Sequence, residues 1–245
     1  MKSLFGLVGK RLEHSFSERY FAEKFKREGI EGVNYQLFPL DEIHLIEGLF
    51  SMSQLGGLNV TIPYKIDVIP YLEELSPDVI SIGAVNCIQI SEGHTSGWNT
   101  DWIGFLRSVK PFLASKHDQA LVFGSGGSSK AVHYALRDLG VKTFTVSREK
   151  GKGNFQLSEL TKDHINHFKL LINCTPVGMF PDINDKLPIP YDGIGSDHFV
   201  VDLIYNPEET LFLREAKNRG AMVLNGYNML VFQAEASWKI WNAQD

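Results

Sequence analysis

The sequence predicts an α/β protein made of two α/β domains. Short apolar segments alternate with segments of helical periodicity along most of the 245 residues. In the second half, a glycine-rich turn follows the apolar strand 120–123 and opens a helix, and another strand follows at 143–146. Strand, glycine-rich turn, helix and strand in this order are typical of the phosphate-binding half of a Rossmann-type fold. We therefore expect one domain of that type and a second α/β domain before it.

The expected elements follow from periodicity and from residues that begin or end helices. Asp41 is expected to cap a helix, Pro63 to open one, and Gly29 and Gly140 to end the helices before them. We predict strands at 3–9, 33–38 and 57–62, a hairpin of 85–90 with 94–98, and strands at 169–173 and 199–203. We predict helices at 17–28, 41–50, 64–75, 101–109 and 229–241, the last one returning to the first domain.

These elements suggest domain boundaries. Residues 1–102 with 227–245 form the expected first domain, and residues 103–226 form the Rossmann-type domain. A cleft between two such domains is a usual place for a ligand.

The glycine-rich turn reads Gly124-Ser125-Gly126-Gly127-Ser128-Ser129, which is G-x-G-x-x-G with serine in place of the third glycine. Glycines let the backbone approach a pyrophosphate, and the N-terminus of the following helix offers N–H donors to it. Apolar residues at 132, 135, 136 and 139 give that helix one buried face. The alternative is a tight turn without a ligand, which the surrounding strands and helix make less attractive.

Ser147-Arg148 follows the second strand of this unit. A site for NAD has Asp or Glu there to bind the ribose 2′-hydroxyl, whereas a guanidinium suits a 2′-phosphate. The cofactor is therefore expected to be NADP(H). Glu149 opposes this preference, and a solvated loop cation is the other interpretation of Arg148.

Composition narrows the class of protein. A net charge of −5 does not favour a nucleic-acid partner. The two cysteines, Cys87 and Cys174, lack metal-ligand spacing, so we expect no metal and a reducing, cytoplasmic compartment. No apolar segment approaches the roughly 20 residues of a membrane-spanning helix, so no membrane partner is expected.

Polar side chains gather in the loops of the first domain. Ser15 and Ser17 precede or open a helix, Thr61 and Lys65 flank Pro63, and Asn86 and Asp101 lie at strand ends. Each has an ordinary interpretation on its own, such as a helix cap, a turn residue or a solvated lysine. Together they bring hydroxyl, amide, ammonium and carboxylate groups to one domain, which favours a binding site for a small polar molecule.

Several motifs occur in a fixed order along almost the whole chain: His14-Ser15-Phe16-Ser17 after Gly9, Asn59-Val60-Thr61-Ile62-Pro63-Tyr64-Lys65, Gly83-Ala84-Val85-Asn86, Gly97-Trp98-Asn99-Thr100-Asp101, the glycine-rich turn, Asn173-Cys174-Thr175-Pro176-Val177-Gly178-Met179, Asp202-Leu203-Ile204-Tyr205-Asn206-Pro207 with Thr210, and Gly226-Tyr227-Asn228-Met229-Leu230 with Gln233. With these motifs the sequence resembles the shikimate dehydrogenase family. The segments around Lys65, Asp101 and Gln233 are specific to that family, whereas the glycine-rich turn is not.

The resemblance implies a reversible, NADP-dependent reduction of 3-dehydroshikimate to shikimate, a step of aromatic amino acid (chorismate) biosynthesis. It implies Lys65 and Asp101 as the catalytic pair. The implied substrate-binding residues are Ser15 and Ser17 for the carboxylate, Thr61, Asn86 and Gln233 with Asp101 for the hydroxyls, and Tyr205. The implied cofactor-binding residues are Gly124, Ser125, Gly126, Gly127, Ser128, Ser147, Arg148, Thr175, Leu203 and Gly226.

The sequence also departs from the family. Glu18 stands where the family often has proline, Tyr20-Phe21-Ala22 replaces a His-Asn pair, and Ser147-Arg148-Glu149 replaces Asn-Arg-Thr. Two alternatives stay open: a quinate/shikimate dehydrogenase with broader cofactor use, and a non-catalytic NADP-binding sensor. In each case the partner is a small molecule, and the protein is a monomer or a homodimer.

Overall fold

The computed structural model describes residues 3–12 and 15–243. His14 of the first motif and the outermost residues of the first domain lie outside this range. The chain divides into two compact units, Met1–Thr100 with Ala234–Asp245 and Asp101–Gln233. The expected domain boundaries differ from this division by two residues at one point (102 against 100) and by seven at the other (226 against 233).

The first unit contains a six-stranded mixed sheet. Its strands lie in the order β2-β1-β3-β5-β6-β4, with β1 parallel to β2 and β3, and with β5 and β6 as an antiparallel hairpin. The strands are β1 (Leu4–Gly9), β2 (Asn34–Pro39), β3 (Leu55–Val60), β4 (Glu74–Leu75), β5 (Cys87–Ser91) and β6 (His94–Trp98). The helices before the second unit are α1 (Phe16–Glu28), α2 (Ile46–Phe50) and α3 (Pro77–Ile82).

An aromatic core joins this sheet to α1 and to the end of the last helix, α8 (Tyr227–Trp241). Trp241 stacks on Phe5 with ring centroids 4.9 Å apart, and its indole nitrogen donates to the carbonyl of Ile88 at 2.9 Å. Phe21 fills the space between Trp241 and Tyr35. The expectation that the last helix returns to the first unit is confirmed for Ala234–Trp241.

The predicted helix at 64–75 is wrong. These residues form turns, the short 3-10 turn Ile69–Tyr71 and the strand β4, which pairs with β6. Pro70 has no N–H to donate and disfavours a helical conformation at Ile69, so the hydrogen bonds next to it span three residues, as in Tyr71 to Val68 and Leu72 to Ile69.

Two further differences concern short helices. Asp41 does not cap a helix of 41–50, because a 3-10 turn, Ile43–Leu45, begins after Glu42 and is followed by α2. Helix α3 was not predicted, although Pro77 at its first position and Gly83 at φ +69° after its end are ordinary signals for it.

The second unit contains a six-stranded, wholly parallel sheet in the order β12-β11-β10-β7-β8-β9. Its strands are β7 (Gln119–Phe123), β8 (Lys142–Ser147), β9 (Phe155–Gln156), β10 (Leu170–Asn173), β11 (Phe199–Asp202) and β12 (Met222–Leu224). Its helices are α4 (Asp101–Val109), α5 (Gly127–Asp138), α6 (Lys162–His167) and α7 (Leu211–Lys217), and α8 begins in it. The predicted Rossmann-type unit is confirmed, including the end of α5 before Gly140 at φ +74°.

Apolar side chains cover both faces of this parallel sheet, one cluster around Leu121 and Val200 and the other around Val122 and Phe105. From β7 the chain goes to β8 on one side and later to β10 on the other, so the strand order reverses between β7 and β10. Within the described part of the chain, helices fall short of the length and apolar character required to cross a membrane.

Candidate active site

All the residues expected to bind the cofactor lie at the carboxyl ends of parallel strands in the second unit. Gly124 to Ser128 follow β7, Ser147 ends β8 and is followed by Arg148, and Thr175, Leu203 and Gly226 follow β10, β11 and β12. Ligands of open α/β sheets bind at the carboxyl edge, where the strand order reverses. Here that point lies between β7 and β10, beside Gly124 and Thr175.

The glycine-rich turn has the backbone that the sequence pattern requires. Gly124 has φ +109°, and a Cβ there would come within 3.2 Å of the methyl carbon of Thr175, so this position is restricted to glycine. A Cβ on Gly126 would meet open space among the described residues, which leaves its backbone accessible to a phosphate. Ser129, at the third glycine position, donates to the carbonyl of Gly126 at 2.7 Å. The turn and the N-terminus of α5 therefore fit a pyrophosphate.

The segment after β8 places a cation in solvent next to a paired carboxylate. Arg148 is exposed, whereas Ser147 is buried and its Oγ accepts the N–H of Glu149 at 3.1 Å. Glu149 forms an ion pair with Lys152 at 2.7 Å, and this hydrogen bond lowers the pKa of its carboxyl. Sequence reasoning missed Lys152, although an acid and a base three residues apart is a recognisable signal.

A buried carboxylate organises the loops after β10 and β11. Asp202 accepts hydrogen bonds from Thr210 Oγ1 at 2.6 Å, from Asn173 Nδ2 at 3.0 Å and from the N–H of Ile204 at 3.1 Å. Asn173 Oδ1 in turn accepts from Thr175, through the hydroxyl at 2.7 Å and the N–H at 2.9 Å. Burial raises the pKa of Asp202 to about 7, although these hydrogen bonds lower it.

The same network fixes the two other cofactor positions. The N–H of Leu203 donates to the carbonyl of Asn173 at 3.0 Å. A Cβ on Gly226 would collide with the carbonyl oxygen of Leu203. Only glycine therefore fits at this position after β12. No local sequence pattern indicates that Asp202 and Asn173 connect these loops, because their partners lie on different strands.

In the first unit, Ser15 and Ser17 lie at the N-terminus of α1. Ser15 is the N-cap, and its Oγ accepts the N–H of Ser17 at 3.2 Å. The ordinary interpretation as a helix cap therefore holds for Ser15, and a hydroxyl that accepts one bond can still donate its own hydrogen. Ser17 lies in the first turn of the helix and is buried.

Thr61 and Lys65 belong to a turn that begins where β3 ends. The N–H of Tyr64 donates to the carbonyl of Thr61 at 2.9 Å, and the Ile62–Pro63 peptide bond within this turn is cis. Lys65 lies in the turns that follow, and its expected place in the first turn of a helix is wrong. Its carbonyl accepts the N–H of Val85 at 2.7 Å, which joins this turn to the residue before Asn86.

Asn86 is buried, and its amide is held by Thr100. Its Oδ1 accepts the N–H of Thr100 at 2.6 Å, and its Nδ2 donates to Thr100 Oγ1 at 2.9 Å. This pair of bonds sets which way the amide faces.

Asp101, Tyr205 and Gln233 belong to the second unit as the compact division has it. Asp101 is buried and is the first residue of α4. Gln233 is buried on α8, where its Nε2 donates to the carbonyl of Leu230 at 3.0 Å. A Cβ on Gly104 would come within 3.0 Å of the Gln233 Cβ, so glycine allows α4 and α8 to approach closely. Tyr205 is half-buried in the loop after β11.

The first unit therefore brings hydroxyl, amide and ammonium groups to neighbouring loops, and the second offers a dinucleotide-binding edge. Among residues 3–12 and 15–243, no group of three or more His, Cys, Asp or Glu side chains is arranged to hold a metal ion.

A curated relative is similar over almost the whole length of both chains. The shikimate dehydrogenase (NADP(+)) of Methanococcus maripaludis is 37% identical over 260 residues, which cover 98% of this chain and 92% of the relative. The chain belongs to the shikimate dehydrogenase family. Consistent with this membership, the model of the shikimate dehydrogenase substrate binding domain matches residues 7–88.

Solved structures of the family and of a related enzyme have the same fold. The shikimate 5-dehydrogenase of Thermus thermophilus, in complex with NADP(H) and shikimate, has a TM-score of 0.88 and 30% identity, covering 98% of this chain and 93% of that one. The quinate dehydrogenase of Corynebacterium glutamicum, in complex with NAD, has a TM-score of 0.87 and 27% identity, covering 98% and 94%.

Proposed function

We propose that this protein catalyses the reversible, NADP-dependent reduction of 3-dehydroshikimate to shikimate, a step of aromatic amino acid biosynthesis. The observation that carries the proposal is the backbone hydrogen bond from Val85 to the carbonyl of Lys65, which joins the turn that contains Lys65 to the residue before the buried Asn86. A turn that carries a proton donor, joined to a segment with fixed hydrogen-bonding groups, suits the reduction of a ketone in a hydroxylated ring.

Within this proposal, the polar groups divide by what they recognise. Ser15 and Ser17 bind the carboxylate at the start of α1, where the helix N-terminus favours an anion. Thr61, Asn86 and Gln233 hold the ring hydroxyls together with Asp101, and Tyr205 lines the same site. The functional domains are then residues 1–102 with 227–245 and residues 103–226, so that Asp101 and Gln233 act with the substrate groups.

Within this proposal, NADP binds at the carboxyl edge of the parallel sheet in the second unit. Gly124, Ser125, Gly126, Gly127 and Ser128 hold the pyrophosphate, Ser147 and Arg148 the 2′-phosphate end, and Thr175, Leu203 and Gly226 the nicotinamide end. When bound, NADP(H) supplies or accepts the hydride.

Lys65 and Asp101 are the proposed acid–base pair. Reduction of the ketone leaves negative charge on its oxygen, and a group within hydrogen-bonding reach must supply a proton. Lys65, as an ammonium group, is the acid in the direction of reduction. In the oxidative direction its amine must be neutral to take the hydroxyl proton.

Small molecules are the proposed partners, and nucleic acid is not, because the net charge is −5. We propose that the protein acts as a monomer or a homodimer. The free thiols of Cys87 and Cys174 support a reducing, cytoplasmic compartment.

The test is a spectrophotometric assay of reduced nicotinamide with purified protein. We expect rapid NADPH formation from shikimate and NADP⁺, and much slower reactions with NAD⁺ or with quinate. Absence of turnover with every pair, while NADPH still binds, would contradict the proposal and favour the non-catalytic sensor.

A second candidate is a quinate/shikimate dehydrogenase with broader cofactor use. Glu149 favours it, because a carboxylate after the second strand of the Rossmann unit suits the ribose 2′-hydroxyl of NAD. The similarity to a quinate dehydrogenase in complex with NAD is in line with it. Comparable rates with quinate or with NAD⁺ in the same assay would decide for this candidate.

A further inference from the structure

A series of buried hydrogen bonds runs through the first unit and includes one of the proposed substrate groups. It begins at Asn86, whose amide is held by the N–H and the Oγ1 of Thr100. Thr100 Oγ1 lies 3.1 Å from Ser237 Oγ on α8. Both hydroxyls are fully buried, so each depends on protein partners for its hydrogen bonds.

Asn59 continues the chain from Ser237. Its Nδ2 donates to Ser237 Oγ at 2.9 Å and to the carbonyl of Asn86 at 3.2 Å. Its Oδ1 accepts the hydroxyl of Tyr35 at 2.9 Å. Because the amide nitrogen and oxygen both have partners, Asn59 is fixed in one orientation.

Tyr35, on β2, is the last side chain of this series. Burial raises the pKa of the Tyr35 phenol well above its usual value, and a hydrogen bond with the side chain of Ser17 opposes that rise. The hydrogen bonds therefore connect five buried side chains, from Tyr35 to Asn86 at the proposed hydroxyl site.

We propose that Ser237, with Asn59 and Tyr35, is a positioning residue that holds Asn86 for the substrate. This inference rests on the proposed function, and it assigns a role to Ser237 and Tyr35, which lie outside the motifs that carry the family resemblance. Ser237 connects the Asn59 side of the network to the Thr100 side, because its Oγ accepts from Asn59 and shares a hydrogen bond with Thr100.

Removing the Ser237 hydroxyl leaves two polar groups in a dry interior. Asn59 Nδ2 loses an acceptor and Thr100 Oγ1 loses a partner, so the amide of Asn86 is less firmly oriented. Substrate binding weakens by about the contribution of one hydrogen bond, whereas cofactor binding in the other unit stays the same.

The experiment compares Ser237→Ala and Tyr35→Phe with the unmodified protein. We expect each variant to raise the KM for shikimate about five- to tenfold, with a smaller change in kcat and no change in the KM for NADP⁺. The double variant is expected to fall short of the product of the two effects, because both residues act through Asn59. Ser237→Thr, which keeps the hydroxyl, is expected to restore part of the affinity.

Ser108→Ala is the matched control. Ser108 is also a buried serine on a helix, and it donates to the carbonyl of Phe105 at 2.8 Å, outside this network. We expect a lower melting temperature for this variant and an unchanged KM for shikimate.

A substrate analogue separates positioning from a general loss of stability. For a shikimate analogue that lacks the hydroxyl bound by Asn86, the effect of Ser237→Ala is expected to shrink toward none. A lower melting temperature with unchanged KM in both Ser237→Ala and Tyr35→Phe would overturn the inference. If Ser237→Ala does not fold, Tyr35→Phe decides alone, because it keeps the packed ring.

If the proposed function is wrong, the assays give a different set of results. The unmodified protein would then neither turn over shikimate nor bind it in a calorimetric titration, and the inference would fall with the function. Turnover by the unmodified protein with variants of unchanged KM refutes the positioning role alone.

Discussion

At the scale of single residues, Lys65 is held by its backbone. Its carbonyl accepts from Val85 at 2.7 Å, and this bond does not involve the side chain. The lysine side chain can therefore be replaced without removing this backbone hydrogen bond, which makes Lys65 a suitable site for a test of catalysis.

We expect Lys65→Met to lower kcat by about 10²- to 10⁴-fold with little effect on the KM for shikimate. The reason is that the proton is transferred mainly in the transition state. Steady-state kinetics would contradict this role by showing equal effects on kcat and KM.

Asp202 provides a prediction about pH. Burial raises its pKa to about 7, whereas an aspartate in an unfolded chain has a pKa of about 3.9. The folded protein thus binds a proton more tightly than the unfolded chain. The contribution of Asp202 to stability is full below about pH 4 and is lost as the pH rises through about 7.

We expect the free energy of unfolding of the unmodified protein, measured relative to that of Asp202→Asn, to fall between pH 4 and pH 8. Denaturant titrations at several pH values measure the difference, and subtracting the two curves removes the carboxyl groups that both proteins share. Parallel curves would show that Asp202 keeps an ordinary pKa in the folded protein.

At the scale of elements, α1 and the end of α8 are joined by a buried lysine. Lys24 Nζ, with its side chain only 4% exposed, contacts Glu235 Oε2 at 2.9 Å and Glu28 Oε1 at 2.9 Å. The hydroxyl of Tyr20 also donates to Glu235. Tyr20 lies in the segment where the sequence departs from the His-Asn pair of the family.

We expect Lys24→Met to destabilise the protein by about 1–3 kcal/mol, because it leaves Glu235 partly buried without its cation. The double variant Lys24→Met with Glu235→Leu is expected to recover part of this loss. Arg19→Met is the control, since the Arg19–Glu23 pair is 76% and 69% exposed and contributes little. Equal effects of Lys24→Met and Arg19→Met on chemical denaturation would refute the prediction.

The elements also show which structure the sequence can predict. The glycine-rich turn was predictable because its determinants are local: Gly124 at positive φ, the small Ser129 and the regular apolar face of α5. Residues 64–75 were not, because Pro70 and the pairing of β4 with β6 override a helical pattern.

The candidate site divides in the same way. The residue types and spacing within single loops were enough to indicate Lys65, Arg148 and the serines of α1 as candidate site residues. The contacts from Asn59 to Ser237, 178 residues apart, depend on how α8 packs against the first sheet. No local pattern contains that information, so the buried networks around Asn86 and Asp202 became visible only in the folded chain.

At the scale of the whole molecule, cofactor preference can be measured as stability. A ligand that binds only the folded protein stabilises it by about 2.7 kcal/mol at 100 times its dissociation constant. Since Arg148 is exposed at the end of β8 and Glu149 is paired with Lys152, the cationic side chain is available to a 2′-phosphate. We therefore expect NADP⁺ to raise the melting temperature more than NAD⁺ at equal concentration.

Two variants separate the contributions of Arg148 and Glu149 to this difference between NADP⁺ and NAD⁺. Arg148→Met is expected to reduce the effect of NADP⁺ to that of NAD⁺, because it removes the cation and leaves the glycine-rich turn intact. Glu149→Ala is expected to enlarge the difference, because the carboxylate that repels a phosphate and suits a ribose hydroxyl is gone. Since these shifts report binding without turnover, they apply equally to an enzyme and to a sensor. An unchanged preference for NADP⁺ in Arg148→Met would assign the recognition of the 2′-phosphate to other groups, and equal shifts for both cofactors in the unmodified protein would favour the broader enzyme.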